Sequence, residues 1–156
     1  MTTAQAGTVP SPDNATIAAR ALLKEVGAEK FTSPDFHPGK LQHIVLFRFK
    51  KTATEADRRE ATRRFQELAK TSKRPDGKAV IVSIETGSQN SGEDAGMGMD
   101  QGYIVTFNSE GDRNYYVGRP LINDPALFDP AHENFKAFVG SFLEKALVFD
   151  FKVANK

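Results

Sequence analysis

His132 is placed where a side chain of its type can do acid–base chemistry. It falls in the first turn of a predicted helix that begins with Asp129 as N-cap and Pro130 at the first helical position. The positive end of a helix dipole favours the neutral imidazole, which suits a general base near neutral pH. The alternative is that His132 only supports the cap at Asp129, and the sequence leaves both roles open.

Two adjacent tyrosines and a second histidine are the other candidates. Tyr115 and Tyr116 follow each other on a short predicted helix, so their side chains diverge by about 100° and only one can face a cavity. A tyrosine hydroxyl there could polarise a carbonyl or stabilise an enolate, whereas the other ring would pack. His43 alternates with Val45 and Phe47 and so points to the helix-covered face of a strand. It is either a hydrogen-bonded core residue or part of an apolar ligand cleft.

Other kinds of chemistry have little support. The chain has no Cys, which excludes disulfides, thiolate metal sites and cysteine nucleophiles. Its three His, one of them at position 37 in a linker, show no HExxH or HxH spacing, so no metal site is expected, although a hard cation held by backbone carbonyls stays open. GMGMD, in the loop of residues 88–100, is not a dinucleotide-binding motif. We expect no cofactor.

The charge balance argues against nucleic acid and membrane partners. Twenty-one basic residues stand against twenty acidic ones, so no strong field surrounds the protein. Residues 1–12 contain neither the basic nor the apolar stretch of a signal peptide, and no run approaches the roughly 18 apolar residues of a membrane span. A cytoplasmic protein is the expectation.

The 156 residues suit one domain, residues 41–156, and an N-terminal extension, residues 1–40. Residues 2–8 are small and polar and are predicted to be mobile. A helix follows, with Ser11 as N-cap, Pro12 at the first helical position and Gly27 just past its end. Since its apolar stripe is moderate, we expect the extension to dock on the outside of the domain, and removal of residues 1–38 to leave a folded dimer.

From Leu41 onward, the pattern of strands and helices predicts an α+β fold. The predicted strands cover residues 41–49, 78–86, 102–107 and 147–153. The predicted helices begin at a Thr52 to Glu55 capping box, at Ser109 and at Asp129, the last continuing through Phe142 to Ala146. The order β-α-β-β-α-β is that of a ferredoxin-like unit.

One face of such a sheet is not covered by its own helices. The apolar residues predicted for that face are Ile44, Leu46, Ala79 and Ile81. An exposed apolar patch of that size usually marks an interface. We therefore expect a homodimer in which two sheets close face to face into an α+β barrel. Charged residues predicted for the same face would have to pair or lie at the rim; they are Arg48, Glu85, Asp150 and Lys152.

Several segments together resemble the stress-responsive A/B-barrel family over about residues 41–153. They are LQHIVLFRFK, GYIVTF after a Gly-rich loop, the tyrosine pair, and DPAHENFKAFVGSFLEKALVFDF. The resemblance implies small dimeric ferredoxin-like proteins. The family includes plant stress proteins and a plant cyclase that makes olivetolic acid by an aldol-type ring closure.

The resemblance also implies roles for individual residues. His132 takes the place of the cyclase's catalytic base, and Tyr115 that of its catalytic tyrosine. The residues implied to line the substrate cavity are His43, Phe47, Tyr103 and Gln101. Two departures stand out: residues 118–128 are an extra stretch between the tyrosine and the histidine, and Gln101 replaces a second pocket histidine. Tyr115 and His132 are expected to converge on the cavity that His43 lines.

The implied function is a homodimer with a small apolar ligand cavity and cofactor-independent acid–base chemistry on a polyketide-like or phenolic ligand. The alternative is a non-catalytic stress-response or ligand-binding protein, in which the dimer and its cavity are the whole function. Cofactor-free oxygenation, which a related class of ferredoxin-like dimers performs in similar clefts, is a third alternative.

Overall fold

The computed structural model describes residues 10–155, and the tail predicted to be mobile, residues 2–8, lies outside them. The helices of the described part are α1 (Asn14–Val26), α2 (Ala28–Phe31), α3 (Glu55–Thr71), α4 (Glu110–Val117) and α5 (Pro130–Val139). The strands are β1 (Pro38–Phe49), β2 (Ser83–Ser88), β3 (Gln101–Ser109) and β4 (Leu143–Lys152). Single 3₁₀ turns cover Pro125–Leu127 and Gly140–Phe142. Within residues 10–155, no helix is both long and apolar enough to cross a membrane.

The four strands form one antiparallel sheet in the order β2-β3-β1-β4. Along β1, every second side chain from Leu41 to Phe49 is buried, as the period-2 pattern predicts. Helices α3 and α5 meet over this face, where Phe65 contacts both Phe47 and Phe135. The ferredoxin-like α+β fold predicted from the sequence is confirmed.

The helix starts follow from their caps. Ser109 caps α4 and Asp129 caps α5, both as predicted. The capping box of α3 is formed by Thr54 and Asp57, two residues after the predicted pair. Helix α1 is capped by Asp13 rather than by Ser11.

Helix α5 is shorter than predicted. It ends at Val139, so Phe142 lies in the 3₁₀ turn and Ala146 in β4. Leu143 already pairs with Phe49 of β1. Strand pairing with β1 therefore overrides the helical spacing of the apolar residues in this segment.

Strand β2 begins later than predicted. Residues 78–82 are outside the strand; Val80 and Ile81 are both buried in the core, while the following Val82 is 52% exposed. Ile81 therefore does not lie on the uncovered face, and the sequence interpretation of that residue was wrong. Two consecutive side chains cannot both point inward from a regular strand, so the chain is irregular here.

The sheet face away from the helices, called the open face below, is apolar in β3, β1 and β4. Its apolar members are Ile44 and Leu46 of β1, Ile104 of β3, and Leu147, Phe149 and Phe151 of β4. Phe149 is 67% exposed. Asp150 and Lys152 alternate with these phenylalanines and lie on the opposite, helix-covered face, contrary to the prediction. Arg48 and Glu85 lie on the open face as predicted.

A second, smaller core joins the N-terminal extension to the extra stretch of residues 118–128. Its buried members are Phe31, Phe36, Ile122 and Phe128. We call residues 28–37 the arm, and residues 118–128 the insertion. Helix α1 contributes only half-buried side chains, such as Leu22 and Val26. The arm therefore packs on the insertion far more closely than α1 does.

Candidate functional site

A buried cluster of His43, Tyr116 and His132 lies between the sheet and helices α4 and α5. The rings of Tyr116 and His132 stack with centroids 3.8 Å apart, and the ring of His43 meets Tyr116 edge-on at 5.7 Å. Strand alternation points His43 inward, and the first turn of α5 brings His132 against α4. The structure thus brings the two predicted histidines into contact with the same tyrosine ring.

That tyrosine is Tyr116, and Tyr115 points elsewhere. The Tyr115 hydroxyl donates to the carbonyl of Lys73 at 3.1 Å, and the guanidinium of Arg74 lies 4.5 Å over its ring. Because neighbouring helix positions diverge, only one ring of the pair can reach the histidines. The structure therefore does not bring Tyr115 to the cluster.

The hydroxyl of Tyr116 is buried and has no hydrogen-bond partner among the described residues. Burial raises its pKa well above 10, so the hydroxyl is protonated and can donate. A buried donor without an acceptor costs about 1–3 kcal/mol. Such a group is free to donate to an oxygen atom brought by a ligand.

His43 is oriented by a carboxylate. Its Nδ1 is 2.7 Å from Asp150 Oδ1, and Arg113 Nη1 donates to Asp150 Oδ2 at 2.8 Å. Burial by itself would raise the pKa of Asp150, but the hydrogen bonds and charges of His43 and Arg113 lower it below its usual value. An ionised carboxylate only accepts, so Nδ1 of His43 carries a proton and Nε2 is the ring nitrogen that does not face Asp150.

His132 is held in a neutral form. Its Nδ1 lies 2.6 Å from the carbonyl oxygen of Tyr116, which can only accept, so Nδ1 donates and Nε2 carries the lone pair. Burial, with a smaller contribution from Lys136, lowers the pKa of His132 to about 3. The sequence argument predicted a neutral ring from the helix dipole, whereas burial is the larger cause. A ring of such low pKa accepts hydrogen bonds but is a weak base.

This burial predicts a pH-dependent stability. The unfolded chain protonates His132 near its usual pKa of 6.5 and the folded protein only near 3, so the unfolded state binds more protons between these values. Stability therefore falls as pH falls through this window, by about 1.4 kcal/mol per pH unit. We expect urea unfolding at pH 5 and pH 7 to show about 2 kcal/mol of this loss, absent in His132→Gln.

The exposed His37 provides the matched control. His37→Gln, which removes the histidine that contacts Glu110, should keep the loss of stability that comes from burial of His132. Burial raises the pKa of Asp129, so this carboxyl stabilises the fold as pH falls and acts in the opposite direction to His132. Its contribution is the same in the unmodified protein, His132→Gln and His37→Gln. Equal pH dependence in His132→Gln and in the unmodified protein would contradict a buried neutral His132.

The remaining predicted ligand-binding residues lie towards the other end of the sheet. Phe47 and Tyr103 are buried in the core, where Tyr103 stacks on Phe65 at 4.0 Å and its hydroxyl is 2.7 Å from the Thr62 hydroxyl. Gln101 pairs with Phe47 in the sheet, four positions, or about 13 Å, along β1 from His43. The structure does not bring Gln101 to the histidine cluster.

Gln101 instead borders a surface groove of about 550 Å³. The groove runs along α3 and is lined by arginines as well as acidic and polar side chains, among them Arg58, Arg59 and Arg63. Its mixed charge is unlike the aromatic environment of the histidine cluster. Within residues 10–155, no group of three or more His, Asp or Glu side chains is arranged to hold a metal ion.

Sequence reasoning missed Asp150 and Arg113. The available signal was the acidic residue inside the apolar strand LVFDF. A charged residue flanked by two phenylalanines faces the side opposite to theirs, and the antiparallel register then sets Asp150 directly beside His43.

The fold and the cluster define a ferredoxin-like α+β protein with a buried His-Tyr-His site. The chain belongs to the stress-responsive A/B barrel domain (Dabb) family, which it matches over residues 41–153. Among curated proteins, no sequence match was found.

Solved structures share the fold at low sequence identity. A protein of Arabidopsis thaliana aligns with a TM-score of 0.60 and 21% identity, covering 74% of this chain and 97% of that one. A hydroxynitrile lyase from Passiflora edulis aligns at 0.59 and 18%, covering 76% and 97%. A dimeric ferredoxin-like protein of unknown function from Jannaschia sp. aligns at 0.56 and 18%, covering 74% and 100%. At these identities, the likeness shows the fold alone.

Proposed function

We propose that the protein is a homodimer that binds a small aromatic ligand at the His43, Tyr116 and His132 cluster and performs cofactor-independent acid–base chemistry on it. The partner is a second copy of this chain, joined through the open face. The support for the homodimer is the exposure of Phe149 on that face and the dimeric state of ferredoxin-like neighbours from Jannaschia sp. and Thermobifida fusca.

The observation that carries the site is the buried Tyr116 hydroxyl without a partner. In this proposal Tyr116 donates to a carbonyl or phenolic oxygen of the ligand and stabilises negative charge that develops there. The base is His43, whose Nε2 is free and whose ring is held by Asp150. His132 accepts a hydrogen bond from the ligand at Nε2. In this proposal the hydrogen-bond donor is Tyr116 instead of Tyr115, and the general base is His43 instead of His132.

The side chains around the cluster are aromatic, and for this reason the proposed ligand is flat and apolar. Phe107 lies 5.1 Å from the ring of Tyr116, and Phe135 lies 6.5 Å from that of His132. Stacked and edge-on aromatic contacts of this kind suit a phenol or aryl ketone. Polyketide-like and phenolic compounds remain the proposed substrate class.

A non-catalytic binding protein is the second candidate. The observation that favours it is the pKa of His132, about 3, which makes this ring a weak base but leaves its Nε2 able to accept a hydrogen bond from a ligand. Replacing His43 with Gln separates the two candidates. An enzyme would lose turnover and keep binding, whereas a binding protein would show no turnover in either form.

We expect Tyr116→Phe to weaken binding of phenol and acetophenone at least about tenfold, because it removes the hydrogen-bond donor. The free variant should be as stable as the unmodified protein or more so, since the hydroxyl has no partner to lose. Titrations followed by NMR give the affinities, and urea unfolding gives the stabilities. Cleavage of an aromatic hydroxynitrile, followed by aldehyde absorbance, is a first assay for turnover, suggested by the lyase neighbour.

Tyr115→Phe is the matched control. It removes the hydrogen bond to the Lys73 carbonyl and should cost about 1 kcal/mol of stability while leaving binding unchanged. The proposal is wrong if Tyr116→Phe binds both probes like the unmodified protein, or if Tyr115→Phe is the variant that loses binding.

A further inference from the structure

A continuous chain of hydrogen bonds links the arm to His43. Asn114 Nδ2 donates to the carbonyl of Phe31 at 2.8 Å, and Asn114 Oδ1 accepts from Arg113 Nε at 2.8 Å. Arg113 Nη1 donates to Asp150 Oδ2 at 2.8 Å, and the other oxygen of Asp150 is 2.7 Å from His43 Nδ1. Four short hydrogen bonds therefore separate a backbone carbonyl of the arm from the imidazole.

The direction of this chain is fixed by its chemistry. A carbonyl only accepts and a guanidinium only donates, so the amide of Asn114 has one orientation that satisfies both neighbours. Arg113 uses separate nitrogens for Asn114 and Asp150, which its rigid fork holds in one plane. Without the Phe31 carbonyl, the side-chain amide of Asn114 could turn. The guanidinium of Arg113, which holds Asp150, would then lose its fixed orientation.

The arm is also fastened to α4 by other backbone contacts. The first amides of α4, those of Glu110 and Gly111, donate to the carbonyls of His37 and Phe36 at 3.2 and 3.1 Å. These amides have no acceptor inside their own helix, so the arm satisfies them. A Cβ at Gly111 would collide with the Ser33 carbonyl, so only glycine lets the arm lie this close. The position of α4 therefore depends on the arm being docked.

We propose that the N-terminal arm is a positioning element for His43, acting through Asn114, Arg113 and Asp150. Arg113 and Asn114 are positioning residues, since neither reaches the rings of the cluster. The arm lies outside residues 41–153, the part that matches the family, so this device is an addition to the shared fold. The inference rests on the proposed function only in taking His43 as the group that needs a fixed orientation.

The test is NMR of the imidazole rings in the full chain, which has only three histidines to assign. In the unmodified protein, His43 should hold its proton on Nδ1 and exchange it slowly. In Asn114→Ala, exchange of that proton should be at least about tenfold faster, as expected for loss of a hydrogen bond to a charged group, and the Nε2–H tautomer should appear. Arg113→Lys, which keeps the charge but cannot bridge both neighbours, should act in the same direction.

Thr32→Ala is the matched control. It removes a side chain of the arm that bonds to Ala28 but leaves the Phe31 carbonyl in place, so His43 should behave as in the unmodified protein. His132, whose Nδ1 donates to Tyr116, is the internal reference and should not change in any variant. If Asn114→Ala does not fold, proton exchange at His43 in Arg113→Lys is the test of the proposal.

Two outcomes would overturn the proposal. One is unchanged proton exchange at His43 in folded Asn114→Ala and Arg113→Lys. The other is an equal change at His43 and His132, which would indicate a general loosening of the fold. Neither depends on a ligand. A protein that loses binding in Tyr116→Phe but keeps His43 unchanged in Asn114→Ala would retain the proposed function and lose only the positioning role of the arm.

Discussion

Phe149→Asp should convert the proposed homodimer into a monomer of 17.1 kDa. Phe149 lies beside Ile44 in the register of the open face and is 67% exposed in the single chain, so aspartate costs the isolated fold little. Within a dimer interface on this face, the same carboxylate would be buried without a partner, at several kcal/mol for each copy. The dissociation constant should rise at least about a thousandfold, as 4 kcal/mol implies.

Light scattering at micromolar concentration measures this effect. The unmodified protein should show twice the mass of the chain, and Leu46→Asp should act like Phe149→Asp. Ile17→Asp is the control, because Ile17 is a similarly exposed apolar residue on α1, away from the sheet. A monomeric unmodified protein, or a Phe149→Asp variant that keeps twice the chain mass, would refute a dimer through the open face.

Two truncations should differ sharply in stability. Removal of residues 1–26 takes away α1, which has no fully buried side chain, and should cost about 1–2 kcal/mol. Removal of residues 1–38 also takes Phe31 and Phe36 out of the second core, and loss of a buried phenylalanine costs about 3–5 kcal/mol. Urea unfolding should place the longer truncation at least about 3 kcal/mol below the shorter one.

The contacts of the arm argue against the expectation that residues 1–38 are dispensable. Without the arm, Ile122 and Phe128 of the insertion become exposed, and the first amides of α4 lose their acceptors. The two truncations serve as controls for each other, since both remove α1. Equal stability of the two would show that the second core contributes little.

The fold was predictable because β1 and the helix caps carry strong local signals. Strict alternation through Val45 and Phe47 and the caps at Ser109 and Asp129 agree with the structure. The run from Val80 to Val82 carries no such signal, because three apolar β-branched residues in a row fit a strand in either register. Its true conformation depends on which of them the core can accept, which is a tertiary property.

The site was predictable in part. His43 and His132 could be assigned to one buried region from strand alternation and a helix cap. The choice between Tyr115 and Tyr116 depends on the rotation of α4 about its axis. The contacts of α4 with the arm and with Arg74 help to set this rotation, and the eight residues of the helix do not reveal it. Asp150 was assigned to the wrong face because its phenylalanine neighbours were taken as core, whereas they lie on the open face.

Position 111 constrains how this chain can vary. Since any side chain there would displace the Ser33 carbonyl, the residue is compatible with the arm only as glycine. A homologue that lacks the arm is free of this constraint, but it must then cover or replace Ile122 and Phe128, whose apolar surface the arm now buries. The arm, the insertion and this glycine should therefore be gained or lost together in the history of the family.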